Sequence, residues 1–131
     1  MMVLNGSIVA NKTIWTQTIP VKPNTVYNFS VWATNTYNAN VPNLQLSINY
    51  KTIGNAQHIN GNNCEWQKYE LTWNSDTSTI AILSIQNLEI NSLGNDFAID
   101  DIAFTEVLIK ADTINVTVDS IPNYNIGNNI S

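Results

Sequence analysis

Apolar and polar residues alternate along most of this chain with a period of two. In Thr25–Thr34, Tyr27, Phe29, Val31 and Ala33 fall on one side, while Asn28, Ser30, Trp32 and Thr34 fall on the other. In Asn43–Tyr50, Leu44, Leu46, Ile48 and Tyr50 oppose Gln45, Ser47 and Asn49. Further on, Tyr69, Leu71 and Trp73 oppose Lys68, Glu70 and Thr72. Neighbouring residues of a strand point to opposite faces, so each segment predicts a strand with a core face and a face of amides and hydroxyls. Apolar residues at three-and-four spacing are missing throughout, so no helix is predicted. Strands are expected near Met1–Leu4, Thr13–Val21, Thr25–Thr34, Asn43–Tyr50, Cys64–Trp73, Ser78–Asn87 and Phe97–Glu106. Turns are expected at Asn5-Gly6, Val21–Asn24, Ile53-Gly54-Asn55, Asn60–Asn63 and Asn74–Asp76. That spacing and turn density predict an all-β sandwich of two antiparallel sheets.

Exceptions to the alternation carry the functional signal. Trp32 lies on a polar face, and Trp15 shares its side of a strand with Gln17. The segment Gly94–Phe104 reads as a strand, yet it sets Asp100 and Asp101 side by side between Ile99 and Ile102. One of these acids must point inward or sit on a bulge. An isolated carboxylate is costly to bury, so it needs hydrogen bonds, a partner or a metal. Two readings stand: an acid that caps loop amides, or a ligand of a hard cation such as Ca²⁺.

The same segment, Gly-Asn-Asp-Phe-Ala-Ile-Asp-Asp-Ile-Ala-Phe, resembles the last strand of carbohydrate-binding-module-like jelly rolls of the galactose-binding-like superfamily. The closing strand of MAM domains is similar. Met1–Ser7 and Ile14–Trp32 extend the resemblance, which runs from Met1 to about Glu106. It implies a jelly-roll β-sandwich of the kind found in secreted and cell-surface proteins of Bacteroidetes. It also implies a glycan as ligand, with Trp15 similar to the tryptophan in the ligand cleft of xylan-binding modules. Calcium is implied as a structural ion at Asp100, with Asp101 and Asp96 as further candidates and an N-terminal segment contributing ligands. The family usually has another strand before Met1-Met2. Residues 1–106 are therefore expected to form the domain, and 107–131 a linker or the start of a neighbouring domain of the parent chain.

Composition sharpens this picture. At 131 residues a single domain buries roughly 70% of its unfolded surface and needs no covalent staple. Charged residues make up only 11% of the chain, well below the usual ~25%. Asn, Thr and Ser take their place, a surface suited to hydroxyl-rich ligands and poorly suited to phosphates. Five Lys and Arg stand against 10 acids, for a net charge of −5. Without a basic cluster, nucleic acid and anionic membrane are not expected partners. No run reaches the ~18 apolar residues of a membrane-spanning helix.

A sugar site needs an aromatic plane under the apolar face of a pyranose and amides around it. Trp15, Trp32, Gln17, Gln45, Asn49 and Gln86 supply these types if their strands are neighbours; the bland alternative is that both tryptophans pack against the fold. Trp66 and Trp73 read as structural. Catalysis is not expected. His58 is the only histidine and Cys64 the only cysteine, and no motif orients one toward the other. A glycosidase needs two carboxylates facing each other across a cleft, whereas Glu65 and Glu70 lie on one strand. The chain therefore reads as a non-catalytic glycan-binding module, with a structural or adhesive spacer as the rival.

Overall fold

The computed structural model describes residues 1–37, 39–91 and 93–108, and eight strands run through them: β1 (Met2–Leu4), β2 (Lys12–Pro20), β3 (Val26–Asn35), β4 (Asn43–Ile48), β5 (Lys51–His58), β6 (Gln67–Asn74), β7 (Ile80–Asn87) and β8 (Phe97–Glu106). Most of the expected linker, from residue 109 onward, lies outside the described residues. The strands form two antiparallel four-stranded sheets with orders β1-β8-β3-β6 and β2-β7-β4-β5. This is a jelly-roll β-sandwich, as the alternation and the resemblance led one to expect.

The core lies between the sheets and follows the period of two. Phe29, Val31 and Ala33 of β3 face Leu44, Leu46 and Ile48 of β4 and Leu83 and Ile85 of β7, all buried. Tyr69 of β6 is buried, and Leu71 and Trp73 pack against the same cluster.

Two bulges reset the alternation. In β8, Val31 of the neighbouring strand is opposed by both Asp101 and Ile102, and Asp101 takes a left-handed φ of 48°. Before this point Phe97 and Ile99 face inward; after it Ile102 and Phe104 do. Without the extra residue, Asp101, Ala103 and Thr105 would face the core, because a shift of one residue exchanges the two faces. The bulge is thus the answer to the paired acids: neither is buried. In β2, Thr13 pairs with Gln86 and Trp15 with Ile85, leaving Ile14 as the extra residue. Trp15 and Gln17 are turned to the side of Ile19, toward the sandwich interior.

One strand departs from the sequence expectation. The turn predicted at Ile53-Gly54-Asn55 is not a turn, and β5 runs through it. The chain reverses instead at Asn49-Tyr50, between paired Ile48 and Lys51. Both turn residues have positive φ, 51° and 67°, as two-residue type I′ hairpin turns require. Gly54 serves a different need. Its φ is +61°, and an added Cβ would lie 2.8 Å from Leu71 Cδ2, so glycine lets β5 bulge and approach β6 closely.

Candidate functional site

The β2-β7-β4-β5 sheet turns a face of neutral polar groups to solvent. On β7, Ala81, Leu83 and Ile85 are buried, which leaves Ile82, Ser84 and Gln86 pointing outward. Pairing then gathers their neighbours. Thr16 stands beside Ser84 and Thr13 beside Gln86 from β2, while Ser47 of β4 lies between Ser84 and Thr52. The Ser47 and Ser84 hydroxyls are hydrogen-bonded to each other, and Thr16 Oγ1 donates to the Leu83 carbonyl at 2.9 Å. Together with Ile82 and Tyr50 these residues line a depression of about 400 Å³. None of them is an acid or a base. The surface offers hydroxyl and amide groups, one apolar side chain and one phenol ring.

Tyr50 stands out. It occupies the left-handed region at φ 67°, where a bulky residue is strained by roughly 1 kcal/mol. The residue is 87% exposed, so no packing within the fold offsets that cost. Asn49 holds the turn under it: its Nδ2 donates to the Ile80 carbonyl at 3.1 Å, and its Oδ1 accepts from the Ile82 amide at 2.8 Å. The result is an aromatic ring presented to solvent on a pinned two-residue turn.

The residues proposed from sequence are not brought together. Gln86 lines the depression, and its Nε2 donates to the Asn11 carbonyl at 3.4 Å. Gln45 is beside it in register but buried, with its amide donating to the carbonyls of Leu46 and Ile53, where it satisfies the β4–β5 bulge. Asn49 is a turn anchor. Trp15 and Gln17, turned inward by the Ile14 bulge, line a separate crevice of about 230 Å³ at the open edge between the sheets. Trp15 also packs 6.4 Å from Phe29, ring centroid to centroid. Trp32 is on the outer face of the other sheet, between Lys68 and Asp100, with 37% exposure. Alternation alone had no means of telling which sheet each strand joins. Ser47 and Gln86 were legible as outward residues; Tyr50 was missed because it was read as the end of a strand.

The acids are likewise dispersed. Asp100 lies 3.1 Å from the Met1 ammonium and accepts from the Asp101 amide at 2.9 Å. The ammonium hydrogen bond, then that amide, hold its carboxyl below the usual carboxylate range. Asp96 accepts from the Gly6 amide at 2.9 Å, capping the loop after β1. It is four positions from Asp100, about 13 Å at the rise of an extended chain, too far for both to hold one ion. Asp101 is exposed. Among the described residues no group of three His, Cys, Asp or Glu side chains is gathered for a metal, so the three acids do not fit a single calcium site. His58 ends β5 and Cys64 lies in the following loop, both exposed.

At the level of sequence, no family model and no curated protein matches the chain. Solved structures do resemble it. The EclA C-terminal domain, described as a sugar-binding protein, superposes with a TM-score of 0.70 at 18% identity, over 79% of this chain and 76% of that one. The CBM22-1 xylan-binding domain of Paenibacillus barcinonensis Xyn10C gives 0.51 at 12% identity, over 71% and 65%. The CBM22-1 and GH10 modules of Clostridium thermocellum xylanase 10B, complexed with xylohexaose, give 0.51 at 18% identity, over 69% of this chain and 18% of that one. At these identities the likeness is one of fold: a β-sandwich shared with carbohydrate-binding modules.

Proposed function

We propose that the chain is a non-catalytic glycan-binding module of a larger secreted or cell-surface protein, and that the outer face of the β2-β7-β4-β5 sheet carries the glycan. The observation that supports this reading is Tyr50, a strained and almost fully exposed aromatic beside a depression lined only by neutral groups. A pyranose has an apolar face for such a ring and hydroxyls for Thr52, Ser84 and Gln86. Neutral lining removes the desolvation cost that a charged wall would impose on a neutral ligand. Similarity of fold to sugar- and xylan-binding domains supports the same reading. No helix among the described residues is long and apolar enough to cross a membrane.

Burying about half of the Tyr50 ring under a sugar is worth ~1–1.5 kcal/mol at ~25 cal/mol per Å², or about tenfold in affinity. Affinity electrophoresis in gels containing soluble xylan, glucan or pectin tests this. Retardation of the wild type by one of them, reduced in Tyr50→Ala and Gln86→Ala, is the expected result. The spacer reading is favoured by one observation, that no tryptophan lines the depression. A wild type retarded by none of the polysaccharides selects it.

A further inference from the structure

A second depression opens at the side of the sandwich where the edge strands β5 and β6 face each other. At Gly54 the two strands touch, through Leu71. Toward the Asn49-Tyr50 turn they part, leaving a crevice of about 480 Å³ whose walls include Trp73, Lys51, Asn74 and Asp76. That volume falls within the range of small-molecule sites.

The walls have the chemistry of a ligand site and are held in place. Trp73 is half-buried, its ring packed 6.2 Å from both Tyr27 and Phe104, centroid to centroid, and it also lines the crevice. Asp76 sits in the β6–β7 connection, which is pinned by its own hydrogen bonds. The Asp76 amide donates to Asn74 Oδ1 at 2.9 Å and the Ser78 amide to the Ser75 carbonyl at 2.7 Å. Ser75 Oγ donates to the Lys22 carbonyl at 2.6 Å. Lys51 approaches from the hairpin. The ion pairs of the described residues are Met1–Asp100, Lys22–Glu106 and Lys68–Glu70, so Lys51 and Asp76 are both left for a ligand.

We propose that this crevice is a second binding site, for a single neutral sugar residue such as a chain end or a branch. The indole supplies a plane for the apolar face of the ring. The Asp76 carboxylate accepts from hydroxyls and the Lys51 ammonium donates to them, and charge-assisted bonds of this kind are about twice as strong as neutral ones. One acid and one base cancel, so a charged ligand gains no net attraction. Preorganisation of the Asp76 turn lowers the ordering cost of binding. Thr52 lines both this crevice and the outer-face depression, so a branch on a glycan lying across the sheet has a short path around β5. The proposal rests on the proposed function for its ligand class and, Thr52 apart, uses different residues.

Nuclear magnetic resonance separates the two sites. The ¹⁵N-labelled chain is titrated with D-xylose, D-glucose and D-galactose, and separately with xylohexaose, following the Trp73 indole N–H and the Tyr50 and Gln86 amides. At least one monosaccharide is expected to shift the Trp73 indole. A Lys51→Ala, Asp76→Asn double variant is expected to weaken that response at least about tenfold with an unchanged melting temperature, since Asn tolerates the left-handed φ of 47° at position 76. A Trp73 indole that none of the three sugars moves overturns the crevice, as does an undiminished response in the double variant. Movement of Tyr50 and Gln86 with xylohexaose in that case leaves the outer-face reading standing. Movement of Trp73 alone supports the crevice and counts against the outer face.

Discussion

Phe104 lies stacked on Tyr27, with ring centroids 4.8 Å apart and planes 8° from parallel. The contact exists because the Asp101 bulge turns Phe104 inward, across from Phe29 in register. Asp101 is thus held in place by backbone geometry. Replacing it with Gly, which accepts positive φ freely, is expected to leave the melting temperature unchanged or raise it. Asp101→Val is expected to cost about 1–2 kcal/mol. Deleting the residue returns Phe104 to the outer face and is expected to abolish cooperative unfolding, as measured by thermal circular dichroism.

Tyr50 separates folding from binding. A two-residue hairpin turn with both φ values positive favours Asn-Gly over Asn-Tyr. Tyr50→Gly is therefore expected to keep or raise the melting temperature while weakening retention on the responsive polysaccharide about tenfold. A variant that is less stable and equally well retained would remove Tyr50 from the site.

Trp15 and Trp32 are expected to behave differently from each other. Trp15 is half-buried against Phe29, so Trp15→Ala is expected to cost about 2–3 kcal/mol, somewhat below the range for fully buried aromatics. Trp32 stands on an outer face, and Trp32→Ala is expected to cost less than about 1 kcal/mol. Neither change is expected to alter binding at the Tyr50 face, as read by affinity electrophoresis of the folded variants. A selective loss of affinity in Trp15→Phe would move the glycan to the edge crevice that Trp15 shares with Gln17.

Asp100 makes stability depend on pH. Its carboxyl is held below its ordinary range, first by the Met1 ammonium and then by the Asp101 amide. Folding therefore favours the charged form. This contribution is present at neutral pH and is lost as acid protonates Asp100, below the ordinary Asp value of about 3.9. The melting-temperature difference between the wild type and Asp100→Asn is expected to be largest near neutrality and to shrink in strong acid.

Of the three acids expected to hold calcium, only Asp100 and Asp101 are neighbours in the chain. An ion there has to displace the Met1 ammonium and draw its other oxygens from the main chain or water, since Ca²⁺ takes 6–8 ligands. If it binds the folded state alone, a hundredfold excess over Kd raises stability by about 2.7 kcal/mol. Melts with Ca²⁺ and with EDTA are then expected to separate in the wild type and coincide in Asp100→Asn. Coincident wild-type melts would leave Asp100 with its ion pair alone.

The properties that repeat every two residues were legible from the order of the amino acids alone. Tyr27, Phe29, Val31 and Ala33 had to share a buried face, as did Tyr69, Leu71 and Trp73, because burial of apolar area acts on each strand separately. The same local physics required a bulge or an inward acid at Asp100-Asp101. Tertiary structure alone decided which strands are neighbours, and hence that Gln86 joins Thr16, Ser47 and Thr52 while Trp32 belongs to the opposite sheet. It also set where bulges fall. One extra residue at Ile14 exchanges the faces of β2 and sends Trp15 inward, a change no period of two can report. The Asn49-Tyr50 turn was hidden for a related reason: Tyr50 continues the apolar alternation of β4, and only the pairing of Ile48 with Lys51 shows that the chain has already turned.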